Sequence, residues 1–76
     1  MTNGPKLPSA AEVVAIRNRL NLSQAEFAAL LGISVRTLQG WEGLRREPEG
    51  PARVLLLVAK WQPKAIAKAF DLAGVE

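Results

Sequence analysis

The short segment Gly32-Ile33-Ser34 constrains the fold more than any other part of the chain, because it separates two helical patterns. One pattern runs from Gln24 to Leu31 and the other from Val35 to Glu42. Gly32 tolerates the left-handed conformation that ends a helix, and Ser34 is a preferred N-cap for the helix that follows. Two helices joined by so short a turn must cross at a steep angle.

Capping and periodicity predict three further helices. Ser9 and Glu12 form a capping box for a helix over residues 10–20, and proline at the first position favours helices over residues 51–61 and 63–74. No stretch alternates between apolar and polar residues as a strand would. The sequence therefore predicts an all-α fold of five helices, with residues 1–8 as a flexible N-terminal arm and residues 9–76 as a single domain.

Composition excludes several classes of protein. The chain has 76 residues and contains neither cysteine nor histidine, which excludes disulfides and ordinary zinc or iron–sulfur sites. We therefore expect no metal and no cofactor. A domain this small has a weak core, so oligomerisation is the remaining source of extra stability, and we expect a homodimer.

Hydropathy and charge limit where we expect the protein to be located and which kinds of partner we expect it to bind. The longest apolar run, residues 54–59, is far below the roughly 20 residues that span a bilayer, and residues 1–10 have no apolar segment typical of a signal peptide. We expect a cytoplasmic protein that does not bind membranes. The net charge of +3 suits a polyanionic partner but does not by itself identify one.

The residues from Gln24 to Ala28, from Gly32 to Gln39, and then Trp41 and Glu42 resemble the Cro/C1-type helix-turn-helix, or XRE family, of transcriptional regulators. Within that family the segment is most similar to the HigA and MqsA antitoxins and related small repressors. The resemblance implies a five-helix, lambda-repressor-like DNA-binding domain. It also implies a homodimer that binds a palindromic operator in double-stranded DNA.

Physical arguments assign roles on the exposed face of the second helix of this motif. Arg36 is the best candidate to read a base, since its guanidinium can pair with guanine O6 and N7. Gln39 can read adenine, Val35 can contact a thymine methyl group, and Gly40 is expected to lie open on the same face and permit close approach. Helix N-termini bind phosphates, so the predicted phosphate contacts comprise Ser23, Gln24, Ser34, Thr37, Arg45 and Arg46.

The resemblance also implies a structural ion pair. Repressors of this type pair an arginine on the first helix with a glutamate at the end of the recognition helix, and Arg17 and Glu42 occupy those positions. Simpler alternatives exist for the other residues. Arg36 and Gln39 are also consistent with solvated helix positions, Arg45 and Arg46 with a solubilising loop, and Gly40 with a tolerated glycine.

The sequence bears on three functional classes. The leading one is a sequence-specific repressor that regulates its own operon, and the alternative is an antitoxin-type module that also neutralises a toxin. An enzyme is rejected, because no nucleophile–base pair and no glycine-rich phosphate loop is present. The last helix is predicted to form the dimer interface, although completion of the monomer core by this helix is the competing prediction; its apolar stripe comprises Ile66, Ala69, Phe70 and Ala73.

Overall fold

The computed structural model describes residues 6–74, and the side chains of residues 6–71. It contains five α-helices and, within the described residues, no strand: α1 Ala10–Leu20, α2 Gln24–Leu31, α3 Val35–Glu42, α4 Pro51–Trp61 and α5 Pro63–Gly74. The all-α prediction is confirmed, and both boundaries of α1 to α4 and the start of α5 coincide with the predicted ones. The boundaries follow local chemistry, since Asn21 and Gly32 both end helices in the left-handed conformation, with φ values of 60° and 72°.

The core lies where α1, α2, α3 and α4 meet. Its buried residues come from every one of these helices: Val13, Ile16, Phe27, Ala28, Leu31, Leu38, Trp41, Ala52, Leu56 and Ala59. α3 packs on α1 and α2, whereas α4 packs on α1, α2 and α5. The helix that carries the candidate site is therefore supported from behind by two helices.

The N-terminal segment differs from the predicted flexible arm at its last residue. Pro8 is fully buried, and its carbonyl oxygen accepts a hydrogen bond from Arg53 Nε at 3.1 Å. The residues before Lys6 lie outside the described part of the chain. Within residues 6–74 no helix is both long enough and apolar enough to cross a membrane.

α5 lies against α4 and α1. Ile66 packs on the core, Phe70 is half-buried and Ala69 is exposed. An apolar groove with a volume of about 390 Å³ runs between α5, α4 and α2, and it is lined by Ala29, Leu30, Leu55, Ile66, Ala69 and Phe70. The side chain of Ala73, also predicted at the interface, lies outside the described side chains. α5 therefore contributes to the core at Ile66 and leaves an apolar groove open beside it.

Candidate nucleic-acid interface

The outer face of α3 presents polar and apolar groups to solvent. Arg36 and Gln39 are exposed, and Val35 is 38% exposed. The inner face holds the helix in place, since Leu38 and Trp41 are buried in the core. Helical periodicity explains this division, because positions three and four residues apart lie on one face. The structure thus brings three of the four predicted base-reading residues to one surface.

Arg17 on α1 and Glu42 at the end of α3 form a bidentate pair. Arg17 Nε lies 2.6 Å from Glu42 Oε2, and Arg17 Nη2 donates to Glu42 Oε1 at 3.1 Å. The side chains are only 18% and 8% exposed, respectively. Arg17 Nη1 also donates to the carbonyl oxygen of Leu22 at 3.0 Å, which ties the α1–α2 connection to the same guanidinium. The last residue of α3 is therefore fastened to α1.

The Gln24 side chain extends this ion pair to the outer face of α3. Its Nε2 donates to Glu42 Oε1 at 2.8 Å, and its Oε1 accepts from Gln39 Nε2 at 3.2 Å. The sequence predicts a phosphate-binding role for Gln24 because this residue stands at the start of α2. Because both polar atoms of the Gln24 side chain are hydrogen-bonded to protein groups, only the backbone N–H of Gln24 is available to bind a phosphate. Gln24 instead orients Gln39.

The electrostatics of Glu42 follow from this network. Burial raises the pKa of Glu42, but hydrogen bonds from Arg17 and Gln24 and the positive charge of Arg17 outweigh burial. The net result is a pKa below the ordinary value of 4.5. The hydrogen bond to Glu42 in turn raises the pKa of Arg17. Both groups are therefore charged at neutral pH, and the pair is intact.

Hydroxyl groups cap the N-termini of α2 and α3. Ser23 Oγ accepts from the Glu26 N–H at 3.1 Å, and the Ser23 N–H donates to Glu26 Oε1 at 2.9 Å. Ser34 Oγ accepts from the Thr37 N–H and donates to Thr37 Oγ1, both at 3.0 Å. Both serines are exposed and Thr37 is half-buried. These predicted phosphate-binding residues thus lie at two helix ends, where backbone N–H groups and the helix dipole favour an anion.

The loop after α3 folds back onto that helix. The backbone N–H groups of Arg45 and Arg46 both donate to the Gly40 carbonyl oxygen, at 2.9 Å and 3.2 Å. Leu44 has a φ of 61° and is 67% exposed, so a leucine occupies the left-handed position of the turn. Both arginine side chains are exposed. The loop therefore presents two cations beside the outer face of α3.

The prediction that Gly40 lies open on the groove-facing surface is wrong. Gly40 is buried, and a Cβ atom placed on it would lie 3.0 Å from Arg46 Cδ and 3.5 Å from Arg46 Cγ. The aliphatic part of Arg46 covers this position. Periodicity placed Gly40 on the outer face correctly, but it gives no information about a loop that returns over the helix.

Glu47 anchors the other side of the same loop. Its Oε1 accepts the backbone N–H of Ala10, the first residue of α1, at 3.0 Å. Pro48, the next residue, is fully buried. Sequence reasoning missed this contact because the two partners lie far apart in the chain. The only local signal for this contact is an acidic residue next to a proline, and that pair is too common in sequences to predict a contact.

Among the described side chains, residues 6–71, three arginines at this surface have no acidic partner. Within residues 6–74 the ion pairs are those between Arg17 and Glu42 and between Lys60 and Glu12. The unpaired cations at the surface are Arg36, Arg45 and Arg46. Together with two capped helix N-termini, they form a surface suited to a polyanion.

Two helices joined by a three-residue turn, of which the second is buried on its inner face and exposes an arginine on its outer face, are the arrangement of a helix-turn-helix protein. The family model for the helix-turn-helix matches residues 13–50, which is half of the chain. The chain belongs to this family of DNA-binding regulators, in agreement with the resemblance to the Cro/C1 type.

The chain is also similar to a curated relative, the antitoxin HigA-2 of Vibrio cholerae serotype O1. The two sequences are 39% identical over 61 residues. The match covers 80% of this chain but only 59% of the relative. The expected likeness to HigA-type antitoxins is confirmed at the level of sequence.

Proposed function

We propose that this protein is a repressor of transcription that binds a specific palindromic site in duplex DNA and controls its own operon. The observation that carries the proposal is the supported outer face of α3, with Arg36 exposed and, beside it, two exposed arginines that have no acidic partner within residues 6–71. It acts by binding in the cytoplasm rather than by catalysis, and it needs no cofactor.

Direct reading of bases is assigned to Arg36, Gln39 and Val35. Arg36 lies in the first turn of α3, where a recognition helix contacts base edges. The network from Glu42 through Gln24 holds the Gln39 amide, which limits the ways in which Gln39 can present its oxygen. Contacts by Ser23, Ser34, Thr37, Arg45 and Arg46 to phosphates position the protein without specifying sequence.

The experiment is selection of binding sites from a random duplex pool, followed by titration of the selected site at several salt concentrations. We expect log affinity to fall linearly with log salt, by about 0.9 per neutralised phosphate. Arg36→Ala should reduce discrimination at one base pair per half-site, whereas Lys64→Ala, which removes an exposed cation on α5, should leave it unchanged. An affinity that does not depend on salt would contradict the proposal.

We further propose that the protein is a two-fold dimer formed through α5. A single recognition helix reads only a few base pairs, and dimers of this motif bind half-sites about 34–36 Å apart. The apolar groove between α5, α4 and α2 supplies apolar surface at Ala69 and Phe70 that lies open among the described residues. Packing of Ile66 on the core supports the competing role of α5 in the monomer.

Two variants separate these roles. Phe70→Glu and Ala69→Glu should both give folded monomers that bind the operator weakly, and exposed Ala69 makes the second variant the milder test of folding. Sedimentation gives the mass and circular dichroism the helix content. A wild-type monomer at high micromolar concentration that binds a single half-site would exclude the dimer.

The similarity to HigA-2 favours a second candidate function, namely neutralisation of a partner toxin in addition to repression. This function requires a small toxic protein encoded next to this one. Growth arrest by that neighbour, relieved when this protein is expressed with it, would support the antitoxin function. The absence of such a neighbour would leave repression alone.

A further inference from the structure

Gly40 occupies a place on α3 that should carry a side chain directed at DNA. It lies four residues after Arg36, and residues at that spacing share one face of a helix. Arg36 is exposed, yet Gly40 is buried, because the stem of Arg46 lies over it. The outer face of α3 is therefore completed by a side chain that comes from the following loop.

We infer that Gly40 is a positioning residue whose missing side chain lets Arg46 lie across the end of the α3 face, where the Arg46 guanidinium contacts a DNA phosphate. This inference rests on the proposed DNA-binding function. It makes Arg46 part of the interface next to Arg36, rather than a cation on a solvated loop.

Two features fix the Arg46 backbone for this role. The Gly40 carbonyl oxygen accepts from the N–H groups of both Arg45 and Arg46. The left-handed conformation of Leu44 turns the chain back so that these hydrogen bonds can form. The carbonyl oxygen of Gly40 thus holds the backbone N–H of Arg46. The missing side chain of Gly40 leaves room for the aliphatic stem of Arg46.

A side chain at Gly40 would act on Arg46 without disrupting the fold. The nearest atoms to an added Cβ are Cδ, Cγ and Cβ of Arg46, at 3.0 Å, 3.5 Å and 3.8 Å. A flexible arginine stem can move aside, and alanine favours a helix more than glycine does. Gly40→Ala should therefore retain or raise the thermal midpoint while displacing the guanidinium from its place.

The experiment is a double-mutant cycle on the selected operator with Gly40→Ala, Arg46→Ala and the double variant. Loss of one charge-assisted contact should weaken binding by Arg46→Ala about tenfold. Gly40→Ala should weaken binding about threefold, a partial loss of the same contact, and should have no effect in the Arg46→Ala background. The salt dependence should fall by about 0.9 in slope for Arg46→Ala.

Arg45→Ala provides the matched control. Its side chain lies near Gly43 rather than Gly40, so the effects of Gly40→Ala and Arg45→Ala should add. In the DNA-free protein, nuclear Overhauser effects between Gly40 Hα and Arg46 Hδ protons should be present in the wild type. Those effects report the packing directly.

Each contrary result has a distinct meaning. If Gly40→Ala weakens binding equally in both backgrounds, or not at all, Gly40 does not act through Arg46 and the inference is overturned. If Arg46→Ala leaves operator affinity and salt slope unchanged, Arg46 makes no DNA contact, although the protein remains a DNA-binding regulator. If the wild type selects no DNA sequence, the proposed function itself fails and this inference falls with it.

Discussion

The turn before α3 and the turn after it each hold one residue in the left-handed conformation, but the type of residue differs. The turn before α3 has glycine at its left-handed position, Gly32, and a serine cap two residues later, Ser34. The turn after α3 has a leucine, Leu44, at its left-handed position, with a φ of 61°. The first turn thus adopts its conformation without strain, whereas the second holds an L-residue in a region that such residues rarely adopt.

This difference shows which end of α3 is fixed locally and which is fixed from a distance. At the first turn, Gly32 adopts the left-handed conformation and Ser34 caps α3, and both act within the turn itself. At the second, contacts with other elements hold the chain: Glu42 to Arg17, and the Gly40 carbonyl oxygen to the loop. The second turn can therefore carry exposed arginines, because its conformation does not depend on favourable local residues.

The largest effect should come from removing Arg17. Arg17→Ala removes the charged partner of the Glu42 side chain, which is only 8% exposed in the intact pair, and breaking such a pair costs about 3 kcal/mol. Glu42→Ala should cost less, since Arg17 is more exposed and keeps its hydrogen bond to Leu22. Urea melts of both variants and of the double variant measure the coupling. Small losses that simply add would show that the end of α3 does not depend on the pair.

The same pair makes stability depend on pH. The pKa of Glu42 in the folded protein lies below 4.5, so its contribution is complete above pH 4.5 and is lost as the pH falls through the folded-state pKa. Glu42→Gln should flatten the decline of the free energy of unfolding below that pH. Glu49→Gln, an exposed acid in neither ion pair, is the control. Part of the decline should persist, because hydrogen bonds from Lys60 and Ser9 also lower the pKa of Glu12.

A substitution at Gly32 tests the locally fixed turn. Apart from Gly32 and its two chain neighbours, no heavy atom of the described residues lies within 4 Å of an added Cβ. The cost of Gly32→Ala is therefore conformational and amounts to about 1–2 kcal/mol. Gly32→Asn should cost less, because asparagine tolerates the left-handed region better. Thermal unfolding of the two variants gives the order. Equal stability of wild type and Gly32→Ala would mean that the first turn is not set by its glycine.

The smallest of these effects, a gain in stability, should come from Leu44→Gly. Relief of the left-handed strain outweighs the greater entropy of glycine in the unfolded chain, for a net stabilisation of about 0.5 kcal/mol. Little burial is lost, because Leu44 is 67% exposed. Leu44→Ala keeps the strained conformation and serves as the control. A destabilised Leu44→Gly variant would show that the leucine side chain itself supports the second turn.

The helices could be predicted because local chemistry determines them. The contacts between distant segments could not be predicted in this way. Capping serines, prolines at first positions and left-handed residues such as Asn21 act within one turn, so the sequence located all five helices. The resemblance to a known family supplied Arg17 and Glu42. The covering of Gly40 by Arg46 and the use of the Gln24 amide depend on how segments approach one another in space. Helical periodicity gives no information about how distant segments approach one another.

The contact between Glu47 and the N-terminus of α1 has a consequence for the thermodynamics of binding. The loop after α3 that carries Arg45 and Arg46 is held by Gly40 at its start. It is also held at its other end, where Glu47 accepts the Ala10 N–H and Pro48 is buried. Such a preorganised loop loses little conformational entropy when it meets its ligand. Association through this loop should therefore proceed as rigid docking, with a small heat-capacity change and none of the large signature of coupled folding and binding.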